Sequence, residues 1–145
     1  MNTNGVTNVG RVIVDVEVAN FGDIELMHRG MLRADQVRRL IIQGIVDSGA
    51  AMLVLPQSVV KKLGLRLSGE ITVTYFDGRR AQRSEARGAM VKLLGREDTF
   101  SAMVEPKRKT ALIGAIVLEA LDLLIDCKQT KLIPRDPRGP IYEIE

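Results

Sequence analysis

Only one cysteine, Cys127, occurs in the 145 residues, so no intrachain disulfide can form and no multi-cysteine metal site can be built. Tryptophan is absent, and two tyrosines and three phenylalanines are the whole aromatic complement. The core therefore has to be assembled from Val, Ile, Leu, Ala and Met, and few rings remain to stack nucleobases. The one histidine, His28, has no second His, no Cys pair and no Glu at ligand spacing, which argues against a zinc site or a pairing with Ser48 as a hydrolase. No apolar run reaches the ~18 residues of a membrane-spanning helix. The polar start, Met1 to Gly5, carries no basic-then-apolar signal. These absences lead us to expect a soluble, cytoplasmic protein with no metal, no cofactor and no membrane partner.

What is present is a chain that is 46% hydrophobic with a net charge of +3, enough apolar material for one folded domain. Lys and Arg are spread along the chain, and no nucleic-acid motif accompanies Arg79, Arg80, Arg83 and Lys107 to Lys109, so nucleic acid is not the expected partner. We expect a flexible tail over 1–8, a domain over 9–134 and a C-terminal tail over 135–145.

Short Val- and Ile-containing runs favour strands over long helices. Val12, Val14, Val16 and Val18 alternate with Ile13, Asp15 and Glu17, the period-two pattern of a strand. Residues 20–23 read as a turn and 24–28 as a returning strand. Strands follow over 37–46 and 52–55. Pro56 then opens a short helix over 57–63 that Gly64 closes. Residues 71–76 form a strand that ends at Asp77-Gly78, a hairpin signal of the two-residue kind, and the arm after it is polar and basic. Two further strands, 89–94 and 99–104, are joined by a polar turn over 95–98. Ala111-Leu112-Ile113-Gly114-Ala115 reads as strand, glycine and helix, with helical spacing continuing to about residue 122. A last small hairpin pairs 123–125 with 131–133.

One residue in this plan needs an explanation. Asp47 stands between the apolar runs Leu40 to Val46 and Met52 to Leu55, where a lone carboxylate pays a desolvation penalty unless it is paired, hydrogen-bonded or protonated. Ser48 supplies a short hydroxyl beside it, and Gly49 lets another backbone or a ligand come close. The run Asp47-Ser48-Gly49-Ala50 after an apolar strand, together with Leu112-Ile113-Gly114 and its helix downstream, resembles the motifs of single-lobed, retropepsin-like aspartic proteases. The likeness extends in order over most of residues 10–134.

That resemblance implies an all-β acid-protease fold: a single lobe with a flap hairpin and one or two short helices. It implies Asp47 as the catalytic acid, Ser48, Gly49 and Ala50 as its supporting loop, and Tyr75, Phe76, Asp77 and Gly78 as the substrate-covering flap. Ile113 and Gly114 would pack beside the active-site loop. Because Asp-Ser-Gly occurs once, the pair of acids would come from two chains, giving a homodimeric endopeptidase acting on peptide or protein. The alternative is a binding or dimerisation module that keeps the scaffold without useful catalysis. Ser48 replaces the more usual Thr. Ala51 and Ala115 stand where viral members commonly carry an Asp and Arg that pair, and with both absent no charge is orphaned.

Overall fold

A computed structural model describes residues 11–145; the expected tail over 1–8 lies outside them. The alternating valines form β1 (Val12–Asn20), with Val12, Val16 and Val18 buried and Asp15 exposed. The strand places its small apolar side chains inward and its charges outward, as a half-buried strand must. Eight more strands follow: β2 (Arg39–Val46), β3 (Leu53–Pro56), β4 (Arg66–Thr74), β5 (Arg80–Leu93), β6 (Arg96–Glu105), β7 (Ala111–Ile113), β8 (Leu123–Asp126) and β9 (Lys131–Pro134). The helices are α1 (Phe21–His28), α2 (Gln57–Leu63) and α3 (Ala115–Leu121), with one 3-10 turn at Ala34–Gln36.

Seven strands pair in the order β1-β2-β7-β3-β6-β5-β4, and β1 also pairs with β5. The second pairing closes β1, β2, β7, β3, β6 and β5 into a six-stranded barrel and leaves β4 outside, attached only to β5. The protein is thus mostly β, as expected. Two pairings in the ring are parallel, β2 with β7 and β3 with β6, so the acid-bearing strand and the Leu-Ile-Gly strand lie side by side. The barrel is filled by aliphatic side chains such as Val16, Leu53, Leu55, Leu63, Ile113 and Leu121, with Phe100 its aromatic member.

β5 serves two structures at once. Residues Arg80 to Arg87 pair with β4 as a projecting hairpin, while Ala89 to Lys92 pair with β1 inside the barrel. A register shift between Ala86 and Ala89 separates the two halves, the bulge that lets one strand change direction. The sequence reads here as a basic arm and a separate run at 89–94; one continuous strand replaces both. Its turn into β6 is Leu94-Gly95, both with positive φ, rather than the expected polar segment 95–98. That geometry suits a two-residue hairpin loop, and β6 then begins at Arg96.

The largest local departure is α1, which occupies the expected turn and returning strand. The Asn20 side chain accepts a hydrogen bond from the Asp23 amide at 2.9 Å and donates to the Leu63 carbonyl at 2.8 Å. It caps the helix and ties it to α2 at once. Asp23 is buried and takes a forked grip from Arg38, with Nε at 2.8 Å and a terminal nitrogen at 3.0 Å, plus the Arg38 amide at 3.0 Å. These hydrogen bonds, led by the guanidinium, hold its carboxyl below the usual carboxylate range despite burial. An Asn-x-x-Asp run serves a turn or a helix start equally well, and here long-range partners for both side chains select the helix.

Residues after Pro134 have no regular structure, but they are tied to the body. Asp122 accepts from Arg135 Nε at 2.7 Å and from the Ile141 amide at 2.9 Å, and Tyr142 donates to the Ala120 carbonyl.

Candidate active site

β2 delivers Asp47 beside β7, and the Asp47 amide extends the parallel ladder by donating to the Ile113 carbonyl at 3.0 Å. The chain then folds back tightly. The Ala50 amide donates to the Asp47 carbonyl at 3.1 Å, and the Gly49 amide donates to Asp47 Oδ1 at 2.9 Å. Among the described residues no other group donates to this carboxylate, which is half-buried.

The far side of the acid loop is fastened to α3. The Ala115 amide donates to the Ala50 carbonyl at 2.7 Å, and the Ile116 amide donates to the Ala51 carbonyl at 3.2 Å. Gly114 makes this approach possible. A Cβ there would lie 2.2 Å from the Met52 carbonyl oxygen and 2.8 Å from that of Ala50, so no side chain fits. Main-chain hydrogen bonds thus hold loop to helix at Ala51 and Ala115, the positions without a charged pair.

Above this loop the β4–β5 hairpin forms one wall of a groove of ≈ 1130 Å³. Asp47, Gly49 and Ala50 line it from below, and Thr74, Tyr75 and Phe76 from the hairpin. The loop is three residues long, Phe76 to Gly78, where two were expected. The Tyr75 amide donates to the Arg79 carbonyl at 2.8 Å and the Gly78 amide to the Tyr75 carbonyl at 2.9 Å. Gly78 takes a φ of +85°, the left-handed residue that closes three-residue loops. Asp77 sits outside the groove, paired with Arg79 at 2.8 Å, and Phe76 is 101% exposed at the tip.

The hairpin is held at its base of the loop by a cluster the sequence reading did not single out. Tyr75 donates its hydroxyl to Glu105 Oε2 at 2.7 Å, and Arg83 Nε donates to Glu105 Oε1 at 3.0 Å. The Arg79 guanidinium lies 4.7 Å above the Tyr75 ring, within cation–π range. Burial, then the Glu105 carboxylate, raise the Tyr75 hydroxyl above the ordinary phenol range. Glu105 ends β6 far from Tyr75 in sequence; only strand pairing brings them together. Arg11 and Arg108 also line the groove; the sequence marks Arg108 only as part of the basic run Lys107 to Lys109, and Arg11 not at all.

Of the expected site residues, Asp47, Gly49, Ala50, Tyr75 and Phe76 meet at the groove, while Ile113 and Gly114 support it from behind. Ser48 is exposed beside it. His28 is exposed at the end of α1 and does not line the groove. Among the described residues no three His, Cys, Asp or Glu side chains are grouped to hold a metal ion.

No family model matches this sequence, and no curated protein does. Solved structures match by fold. EIAV protease complexed with the inhibitor HBY-793 superimposes with a TM-score of 0.52 at 15% identity, covering 76% of this chain and 86% of that one. The foamy viral protease-reverse transcriptase in complex with an RNA/DNA hybrid gives a TM-score of 0.50 at 16% identity, covering 75% of this chain and 12% of that one. The chain has the retropepsin-like fold of these viral proteases.

Proposed function

Taking that fold as the premise, we propose that this protein is a homodimeric aspartic endopeptidase whose dyad is Asp47 from each of two chains. The observation that carries the reading is the placement of Asp47: its Oδ1 is fixed by the Gly49 amide at 2.9 Å and its carboxylate faces a groove roofed by a hairpin. One chain offers one such acid, and an isologous contact brings the same residue to both sides of a two-fold axis.

In the dyad the two carboxylates, about 3 Å apart, share one proton, as aspartic proteases generally do. The ionised member takes a proton from a water held between them, and the water oxygen attacks the scissile carbonyl carbon. The protonated member polarises the carbonyl oxygen, and a proton then passes to the leaving amine as the C–N bond breaks. Ser48, Gly49 and Ala50 hold the acid in place, and Ile113 and Gly114 back that loop. The hairpin, through Tyr75 to Gly78, acts as a flap that covers the peptide and limits access of bulk water.

Asp47→Asn tests this reading. Cleavage of a peptide library should disappear, while the thermal midpoint stays equal or rises, because Asn can still accept from Gly49 and two facing carboxylates no longer repel. Wild-type activity should follow a bell-shaped pH curve whose limbs belong to the coupled pair. A wild type that cleaves nothing from acidic to neutral pH would leave a binding or dimerisation module as the better account.

A further inference from the structure

The segment between β6 and β7 contributes one charged side chain to the groove that the proposed chemistry leaves unused. Arg108 lines the groove with Thr110, and its Nε donates to the Thr110 carbonyl at 2.7 Å. That bond fixes the guanidinium and leaves its two terminal nitrogens without a protein acceptor among the described residues. Burial is the main influence on Arg108 and lowers its pKa; nearby Arg11 acts the same way, while Glu105 and Asp47 offset them in part. A partly desolvated cation with no partner is costly unless something else supplies the anion.

The other groove carboxylate does not supply it. Both Glu105 oxygens are engaged, one by Tyr75 and one by Arg83, and neither Arg11 nor Arg108 forms an ion pair among the described residues. In the proposed dimer the two Asp47 carboxylates share a proton and carry one negative charge. Each chain sets two guanidinium groups against it. The groove is therefore short of negative charge, and a carboxylate on the occupant meets that shortage with charge-assisted bonds to the free Arg108 nitrogens.

We propose that Arg108 is a specificity-determining residue that selects peptides carrying an Asp or Glu side chain within its reach in the groove; that the occupant is a peptide rests on the endopeptidase reading. A nucleic-acid phosphate fits less well, because the Asp47 carboxylate lines the same groove and repels it.

The test uses full-length protein carrying Asp47→Asn and fluorescein-labelled twelve-residue Ala/Leu/Ser peptides with one Glu scanned along them, each matched to a Gln peptide. At one scan position the Glu peptide should bind about tenfold more tightly than its Gln match. Adding Arg108→Gln should bring that ratio close to one, and Arg108→Glu should transfer the preference to a Lys peptide. Wild-type cleavage sites in a peptide library, read by mass spectrometry, should be enriched in acid at the same position. Equal binding of Glu and Gln peptides, or a preference that survives Arg108→Gln, overturns the proposal. Loss of the dimer on Arg108→Gln, seen by sedimentation with both peptides released, overturns it by making Arg108 a subunit contact. So does an oligothymidylate that binds more tightly than the Glu peptide and depends on Arg108. Library cleavage without acid enrichment removes this proposal and leaves the endopeptidase standing; an Arg108-dependent preference in a wild type that cleaves nothing does the reverse.

Discussion

Replacing Gly114 by alanine perturbs the acid loop without touching a charged group. The new Cβ would stand 2.2 Å from the Met52 carbonyl oxygen, against an ordinary carbon–oxygen contact of about 3.3 Å, so the backbones must part by about 1 Å. Neither neighbour is a side chain that can swing away. Overpacking of this kind costs about 1–3 kcal/mol. Separating α3 from the loop also weakens the bonds from the Ala115 and Ile116 amides to the Ala50 and Ala51 carbonyls, each ~1 kcal/mol net. We expect a total loss of about 3–4 kcal/mol, a fall in thermal midpoint on the order of 6–12 °C. Since the displaced segment continues from Asp47, and ~1 Å of misplacement can cost 100-fold in rate, kcat/KM on a cleaved peptide should fall about 100-fold in the folded variant. Gly95→Ala is the control: its φ of +78° brings conformational strain, but open space surrounds it, so it should cost about 1 kcal/mol and spare activity. If Gly114→Ala unfolds in urea no earlier than Gly95→Ala, the account of loop and helix in backbone contact is wrong.

Asp23→Asn should lower stability at pH 7 by about 2 kcal/mol, the size of a charged hydrogen-bond set discounted because the Arg38 side chain is 51% exposed. The folded Asp23 pKa is depressed, so its stabilisation is present above the unfolded value near ~4 and is lost as pH falls through the folded value. Urea midpoints of wild type and variant should therefore converge in acid, and parallel curves would refute the pairing. Tyr75→Phe keeps the ring beneath Arg79 but removes the hydroxyl from Glu105, so exchange of the hydrogen-bonded amides of residues 75 and 78 should quicken roughly tenfold with the barrel amides unchanged. The folded Tyr75 pKa is raised, so its tethering is present below the unfolded value of ~10 and fades as pH rises through the folded one. Wild-type hairpin exchange that shows no alkaline loosening beyond the intrinsic rate, with the variant as baseline, would count against this tether.

Much of the fold was legible because the signals are local. Alternating valines mark β1, Pro56 and Gly64 bracket α2, and Ile113-Gly114 announces a strand meeting a helix. The motif around Asp47 was legible for the same reason: its acid, hydroxyl and glycine are consecutive. What escaped depends on partners distant in sequence. Asn20 becomes a helix cap rather than a turn residue through Leu63, and Asp23 is buried through Arg38. β5 reads as two pieces because its basic half faces solvent along the hairpin and its apolar half faces the core. Glu105 gained its place at the hairpin from the pairing of β5 with β6, and Arg108 its place in the groove from the parallel run of β7 beside β2. A composition that spreads arginine evenly gives no hint which ones turn inward.

The fastening of the acid loop to β7 and α3 has a temporal side. Gly44 to Val46 pair with Ala111 to Ile113, and Ala50 and Ala51 accept from Ala115 and Ile116; these are high-separation contacts that close late because a long intervening loop must first be ordered. A chain growing from its amino terminus exposes Asp47 early, with only the local bonds from the Gly49 and Ala50 amides to shape its loop until β7 and α3 have been made. The β1–β2 pair and the β4–β5 arm draw their mutual partners from earlier segments and can form ahead of it. The acid loop is thus completed only by the last third of the chain, so a nascent or truncated polypeptide ending before Ala111 carries the Asp-Ser-Gly sequence without the bonds to β7 and α3 that fasten it.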